Sequence, residues 1–176
     1  MIKKLHLIVF TILAISACDK VDQKLENQKT PVSTTPPELP TTLLSDKIVN
    51  TEKVFIEKAC YLDTINATGG GKYQIKPGQV ITLNGWAFNP LSGSEPSHKL
   101  FAEFLEANSS IYYKALRSPR EDVARAFKNK KINNSGFMVT ILTDSLSPGI
   151  YKIRIVQLDQ NQLLICDLGW NLLVKP

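Results

Sequence analysis

The chain has 176 residues, 43% of them apolar, and a formal net charge of +5. That apolar fraction excludes a chain that is disordered throughout, and the length suits one domain with a substantial core. Lys3 and Lys4 lie in an N-terminal leader, and without them 19 basic residues face 16 acidic ones, a net charge of +3. Since no run of Lys and Arg alternates with aromatic residues, we expect no nucleic-acid partner.

The N-terminus has the pattern of a secretory signal. Met1–Lys4 is basic, and Leu5–Ala17 is almost entirely apolar. This apolar run is too short to cross a hydrocarbon core of ~30 Å as a helix, which takes about 20 residues. We therefore predict a signal peptide over residues 1–17.

The end of this leader, Ile15-Ser16-Ala17-Cys18, resembles the lipobox of bacterial lipoproteins, a family that prefers Leu where Ile15 stands. The resemblance implies that Cys18 is lipidated after cleavage and anchors the protein in the bacterial cell envelope, facing the periplasm. Two or three acyl chains anchor a protein stably, because each buried CH₂ contributes ~0.8 kcal/mol. The alternative is an ordinary secretory signal with a chance Cys after the cut. Asp19 resembles the inner-membrane signal of enterobacterial lipoproteins, a rule that does not transfer between bacteria, so inner and outer membrane both stay open.

Residues 18–50 are predicted to form a disordered tether that holds the domain away from the membrane. From Asp19 to Asn50 there is no aromatic residue, and four prolines stand among Thr and Ser between positions 31 and 40. Such a composition cannot bury enough apolar surface to order itself. Leu43 and Leu44 are the first residues that could dock on the domain.

Residues 51–176 predict one mainly β domain. Short runs of alternating or β-branched residues are separated by Gly, Pro, Asn and Ser turn signals. This spacing indicates a β-sandwich, and the alternating helices of a parallel α/β fold are missing. The predicted strands are 53–62, 79–88, 99–106, 110–116, 137–143, 150–158, 163–166 and 170–174, with a short extended piece at 72–75.

One short helix is predicted between two of these strands. Ser118 suits the N-cap position, a proline follows it, and Glu121 completes a capping box. Val123, Ala126 and Phe127 fall on one helical face, at positions i, i+3 and i+4.

Four pieces of the domain together resemble a known family. They are Gly85-Trp86-Ala87, Arg120–Phe127, Ser135-Gly136-Phe137 and Leu146–Tyr151. Their order is similar to small immunoglobulin-like domains at the ends of bacterial membrane glycosyltransferases and related envelope proteins. In those domains an R-x-D-V segment begins a short helix and G-F opens the next strand. The resemblance implies an antiparallel immunoglobulin-like β-sandwich with one short helix, and it brings no catalytic residues.

Two cysteines remain in the domain, Cys60 and Cys166. In an oxidising compartment they most simply pair, which would close a loop of about 105 residues between the first strand region and the last. The alternative is two buried thiols.

The domain lacks a recognisable catalytic or metal-binding pattern. His98 is its single histidine and lies in a polar loop, so neither a zinc site nor a Ser-His or Cys-His triad is expected. Gly69–Lys72 fails as a phosphate loop, because Tyr73 stands where Ser or Thr would hold magnesium. Glu103 and Glu106 point to opposite faces of a strand and cannot share acid–base work. We therefore expect no cofactor, no metal and no enzymatic activity.

Four residues are candidate ligand contacts. Arg120 and Asp122 could line a ligand site, or they could serve the start of the helix, where Asp favours the helix dipole. Tyr112 and Tyr113 are adjacent on a strand, so one of them should face outward.

The two tryptophans have two interpretations. Trp86 and Trp170 could join the tyrosines in an aromatic platform for sugar rings, but a Trp in a sandwich more often fills the core beside a disulfide. Together these features predict a lipid-anchored binding module for a glycan or an envelope protein. The alternative is a structural accessory lipoprotein of a membrane complex.

Overall fold

A computed structural model describes residues 51–91, 96–159 and 161–176. The signal peptide, Cys18 and the tether over 18–50 lie outside these ranges, so those predictions stay predictions. Within the described ranges no helix is both long and apolar enough to span a membrane.

The described part of the chain is mainly β, as the sequence predicts. It contains one α-helix, α1 (Glu121–Ala126), and two short 3-10 helices, Lys130–Ile132 and Thr143–Ser145. The strands are β1 (Glu52–Phe55), β2 (Cys60–Ile65), β3 (Lys72–Ile75), β4 (Val80–Ala87), β5 (Leu100–Glu106), β6 (Ser109–Lys114), β7 (Leu116–Ser118), β8 (Gly136–Leu142), β9 (Gly149–Asp159) and β10 (Gln162–Val174).

The strands form two sheets. A six-stranded sheet has the order β1-β10-β9-β5-β6, with β3 pairing further along β10, and a four-stranded sheet has the order β2-β4-β8-β7. Among the described strands, all pairs are antiparallel except two: β1 and β3 each pair with β10 in parallel. The prediction of a purely antiparallel fold is therefore wrong at this edge.

The two sheets share one apolar core. Side chains that alternate along the strands supply this core. β4, for example, buries Ile81, Leu83 and Ala87, whereas Val80, Thr82 and Asn84 are more accessible. Gly85 lies among them because the Phe137 ring and the Tyr61 carbonyl occupy the space of a side chain there. The core includes Leu62, Val139 and Ile141 from the four-stranded sheet and Phe104, Ile153 and Leu172 from the six-stranded sheet.

Cys60 and Cys166 form a disulfide, which confirms their predicted pairing. It joins β2 to β10, and hence one sheet to the other, with 6.2 Å between the Cα atoms and a sequence separation of 106. Trp170 is buried in the shared core, and half-buried Trp86 packs in the cluster that contains the disulfide. Both tryptophans therefore contribute to packing, as expected for a Trp beside a disulfide.

Several predicted strand boundaries are wrong. The single strand over 53–62 is two strands in different sheets, and the chain reverses between them at Lys58, whose φ is +59°. The hairpin partner over 110–116 also divides: β6 ends before Ala115, and β7 joins the other sheet. The two strands after Leu163 are instead one, β10, which continues through a bulge between Asp167 and Trp170.

The predicted helix start is wrong as well. Ser118 ends β7 and pairs with Gly136, and the N-cap residue is Arg120, which makes no side-chain capping bond. Ser118 is already paired in a strand, so the helix begins two residues later than predicted.

Candidate ligand-binding site

Between β7 and β8 the chain leaves the four-stranded sheet in a helical segment, residues 119–135. The Arg120 amide donates to the Asn133 carbonyl at 2.6 Å and closes the base of this segment. Val123, Ala124 and Ile132 are buried against the cluster around the disulfide. Apolar packing therefore anchors one side of the segment, and most of its remaining side chains face outward.

The helical face that Val123, Ala126 and Phe127 share is buried only in part. Val123 is buried, but Ala126 and Phe127 are exposed, Phe127 by 46%. The Phe127 ring stands edge-on to Trp86 and Phe88, with centroid distances of 5.5 and 5.1 Å. The helix has only six residues, so its second turn lies over this aromatic group and not over the core.

A basic cleft of about 570 Å³ opens on the helical segment, and we call it the helical cleft. Three cationic side chains and one carboxylate line it, together with asparagine amides. Lys128 has a φ of +51° and turns the chain out of the helix, and the Asn129 side chain accepts from the Lys131 amide at 3.1 Å. The lining includes Glu121, Arg125, Lys128, Asn129, Lys130 and Asn133.

A second cleft of about 420 Å³ lies next to the first, and we call it the arginine cleft. Lys131 and Asn134 line it, and they directly follow Lys130 and Asn133 of the helical cleft. The two clefts therefore flank one stretch of chain. The arginine cleft is lined by Pro96, His98, Arg117, Ser118, Lys131 and Asn134.

Arg117 is held by neutral groups alone. Its Nε and Nη2 donate to the Ser97 carbonyl at 3.0 and 2.8 Å, and Nη2 also donates to Gln157 Oε1 at 3.1 Å. Its Nη1 donates to the carbonyls of Ala87 and Ser135 at 2.6 and 3.2 Å. Burial lowers the pKa of Arg117 to about 10, so the side chain remains cationic at neutral pH.

Within the described ranges no carboxylate forms an ion pair with Arg117. A partly buried cation without a counter-charge is costly, and hydrogen bonds to carbonyls offset that cost only in part. The arginine cleft thus carries a fixed positive charge that an anion would neutralise.

The two charged candidates from the sequence lie together but are paired with each other. Arg120 donates from Nε and Nη2 to the two oxygens of Asp122 at 2.8 and 2.7 Å, and from Nη1 to Asp63 at 2.5 Å. The Arg120 guanidinium holds the pKa of Asp122 well below its usual range. These contacts connect β2 to the start of α1, in agreement with the role at the helix start that was one of the two interpretations of Arg120 and Asp122. They also mean that the Arg120 guanidinium is already paired with two carboxylates.

The two tyrosine candidates lie in the other sheet, on opposite faces of β6. Tyr113 is fully buried, and its hydroxyl shares a hydrogen bond with Ser145. Tyr112 faces outward, as one of the pair must, and donates to Glu103 at 2.9 Å. Burial, followed by the charge of Glu103, raises the pKa of Tyr112 to about 12. Neither tyrosine lines the two basic clefts.

The remaining sequence candidates occupy separate environments. Exposed His98 lines the arginine cleft, and Lys72 begins a strand, not a helix. Glu103 accepts from Arg154, whereas Glu106 lies beside Tyr151, so the two carboxylates do not share a site. The described residues contain no group of three or more side chains suited to hold a metal ion.

Sequence reasoning missed the two clefts. The basic run over 128–131 was visible, but its charges also suit the C-terminal end of a helix. Arg117 gave no signal, because its partners lie 18 to 40 positions away in the sequence.

Comparison with protein-family models, curated proteins and solved structures finds no match to this chain.

Proposed function

We propose that this chain is a lipid-anchored binding module of the bacterial cell envelope, with a binding and not a catalytic role. Its two basic clefts bind an acidic glycan of that envelope. The observation that carries this proposal is Arg117, a partly buried cation that lines a cleft and has only neutral partners in the described part of the chain.

The surrounding charges support an anionic ligand. Four further cations of the helical segment are exposed and form no ion pair with any described residue: Arg125, Lys128, Lys130 and Lys131. By contrast, Arg120 and Arg154 are each paired with carboxylates. Three cations outnumber the one carboxylate, Glu121, in the lining of the helical cleft, and such an excess of positive charge raises the concentration of anions there.

The size and the neutral groups of the clefts favour a saccharide. Volumes of about 570 and 420 Å³ fall in the range of small-molecule sites and would hold one or two sugar rings each. The amides of Asn129, Asn133 and Asn134 can both donate to and accept from hydroxyl groups. Exposed Phe127, next in the chain to Lys128, offers an apolar face at the rim.

The proposed location and fold family have support of their own. The leader resembles that of lipoproteins, and a disulfide is characteristic of oxidising compartments such as the periplasm. A bond between the two sheets with a tryptophan beside it is the arrangement of immunoglobulin domains, which supports an immunoglobulin-like β-sandwich.

The ligand class can be tested by titrating the mature chain, with Cys18 replaced by Ser, with acidic and neutral polysaccharides. Tryptophan emission should respond, because Trp86 contacts Phe127 near the helical cleft. We expect binding of the acidic polymer that weakens with salt, since exposed charges are screened over ~8–10 Å at 0.1–0.15 M ionic strength.

A matched pair of double variants locates the site. Lys128→Glu/Lys130→Glu should weaken binding by at least about tenfold, because it reverses two charges at the cleft. Lys72→Glu/Lys175→Glu makes the same net change on exposed lysines in β3 and after β10 and should bind normally. Equal loss in both variants, or equal affinity for neutral and acidic polymers, would contradict the proposal.

A further inference from the structure

The stretch of chain between the two clefts is bonded at intervals of three residues. The Asn133 amide donates to the Lys130 carbonyl at 3.2 Å, and the Ser135 amide donates to the Ile132 carbonyl at 2.9 Å. A further bond of this kind, 3.3 Å long, runs from the Ile132 amide to the Asn129 carbonyl. In such a 3-10 arrangement side chains three positions apart lie on the same face, so the stretch has three faces. Ile132 and Ser135 share one face, and both are fully buried.

Each of the other two faces presents one lysine and one asparagine to a cleft. Lys130 and Asn133 line the helical cleft. Lys131 and Asn134 line the arginine cleft. Both lysines are exposed, and neither forms an ion pair with a described residue. The repeat therefore places the same two functional groups, an ammonium and a carboxamide, in both clefts.

We infer that the two clefts are equivalent subsites for successive units of one ligand, a linear glycan with an acidic group in each repeating unit. This inference rests on the proposed function and names the kind of acidic glycan that the clefts bind. Two like sites on one short stretch match a ligand that presents the same group at regular intervals. In each subsite the lysine pairs with an acidic group, and the asparagine bonds to a neighbouring hydroxyl or carbonyl.

The charges of the two clefts are also equal. Three cations and one carboxylate give the lining of the helical cleft a net charge of +2. Arg117 and Lys131 give the arginine cleft the same net charge when His98 is neutral. Each cleft can therefore attract an acidic unit of the glycan, and neither has an electrostatic preference for a neutral one.

The spacing between the subsites is fixed by contacts on both sides of the stretch. The Asn133 carbonyl accepts from the Arg120 amide at 2.6 Å. The Ser135 carbonyl accepts from Nη1 of Arg117 at 3.2 Å. Together with the buried side chain of Ile132, these bonds hold the two clefts at a constant separation. A ligand that reaches both clefts binds the second one as an intramolecular step and loses little further entropy.

Calorimetric titration of the mature chain carrying Cys18→Ser, with oligogalacturonates of increasing length, tests the inference. These linear chains have one carboxylate in each sugar unit. A chain too short to reach from one subsite to the other should bind at two sites per protein. Once a chain reaches both, one molecule per protein should bind, with an affinity at least about a hundredfold higher than that of the short chain.

Two matched variants separate the subsites. Lys130→Glu reverses a charge in the helical cleft, and Lys131→Glu reverses one in the arginine cleft. Lys72→Glu is the control, since it makes the same change on an exposed lysine in β3. Either cleft variant should lose most of the gain that the long chain shows. The short chain should still bind at the unchanged cleft within about threefold of its wild-type affinity, because solvent screens the charge in the other cleft.

Three outcomes would overturn the inference and leave the proposed function standing. They are an affinity that rises only in proportion to chain length, two long chains bound per protein, and a loss of the gain in one cleft variant alone. Each would mean that the clefts bind acidic sugars independently. Absence of binding at every chain length would overturn the proposed function together with the inference.

Discussion

Replacing Glu103 by Gln should destabilise the domain by about 3–5 kcal/mol, the range for breaking a buried ion pair by removing one partner. Glu103 is 2% exposed and accepts from Arg154 at 2.7 and 2.8 Å, from Ser110 at 2.7 Å and from Tyr112 at 2.9 Å. Gln offers one acceptor oxygen in place of two, and it leaves the partly buried Arg154 cation without a counter-charge.

Removing both charges should cost less than removing one. In Glu103→Leu/Arg154→Met the new side chains can pack against Phe101 and Val156, so we expect a loss below about 1.5 kcal/mol. The difference between the loss of unfolding free energy in the double variant and the summed losses of the two single variants is the interaction energy of the pair.

Urea unfolding of the oxidised protein, followed by tryptophan fluorescence, measures these free energies. Asp167→Asn is the matched control: Asp167 pairs with Lys152 on the same sheet, but both side chains are more than 40% exposed. An exposed pair contributes only about 0–1 kcal/mol. If Glu103→Gln costs no more than Asp167→Asn, the reasoning that Glu103 and Arg154 form a pair removed from water is refuted.

Three further predictions concern other parts of the chain. Replacing Cys60 and Cys166 together by Ala should lower the free energy of unfolding by about 4–5 kcal/mol, from chain entropy over 106 residues, as urea unfolding can measure; no loss would contradict a structural disulfide. Tyr112 should titrate near pH 12, and because its folded-state pKa lies above the usual value of 10, its stabilising contribution is complete below pH 10 and is lost as the pH rises through 12. Ultraviolet difference titration against Tyr112→Phe checks this, and titration near pH 10 would contradict it. Cys18→Ser should move the protein from the membrane to the soluble fraction and abolish labelling by a fatty-acid analogue, whereas unchanged labelling would exclude this lipidation site.

The sequence predicts the strands well where one face is buried and alternation is clear, as in β4 and β9. It fails where the chain changes sheet. The reversal at Lys58 uses a positive φ in a residue type with no preference for it, and the crossing at Ala115 interrupts a continuous extended run. Such changes depend on pairing partners far along the chain, which local patterns do not contain.

The candidate site was less predictable than the fold. Arg120 and Asp122 stand two positions apart, so their interaction could be anticipated from the sequence, and the structure places them in contact. The acceptors of Arg117 come from four separate places in the chain, and no spacing rule brings them together. Glu103 and Arg154 are likewise 51 positions apart and become partners only through the register of β5 with β9.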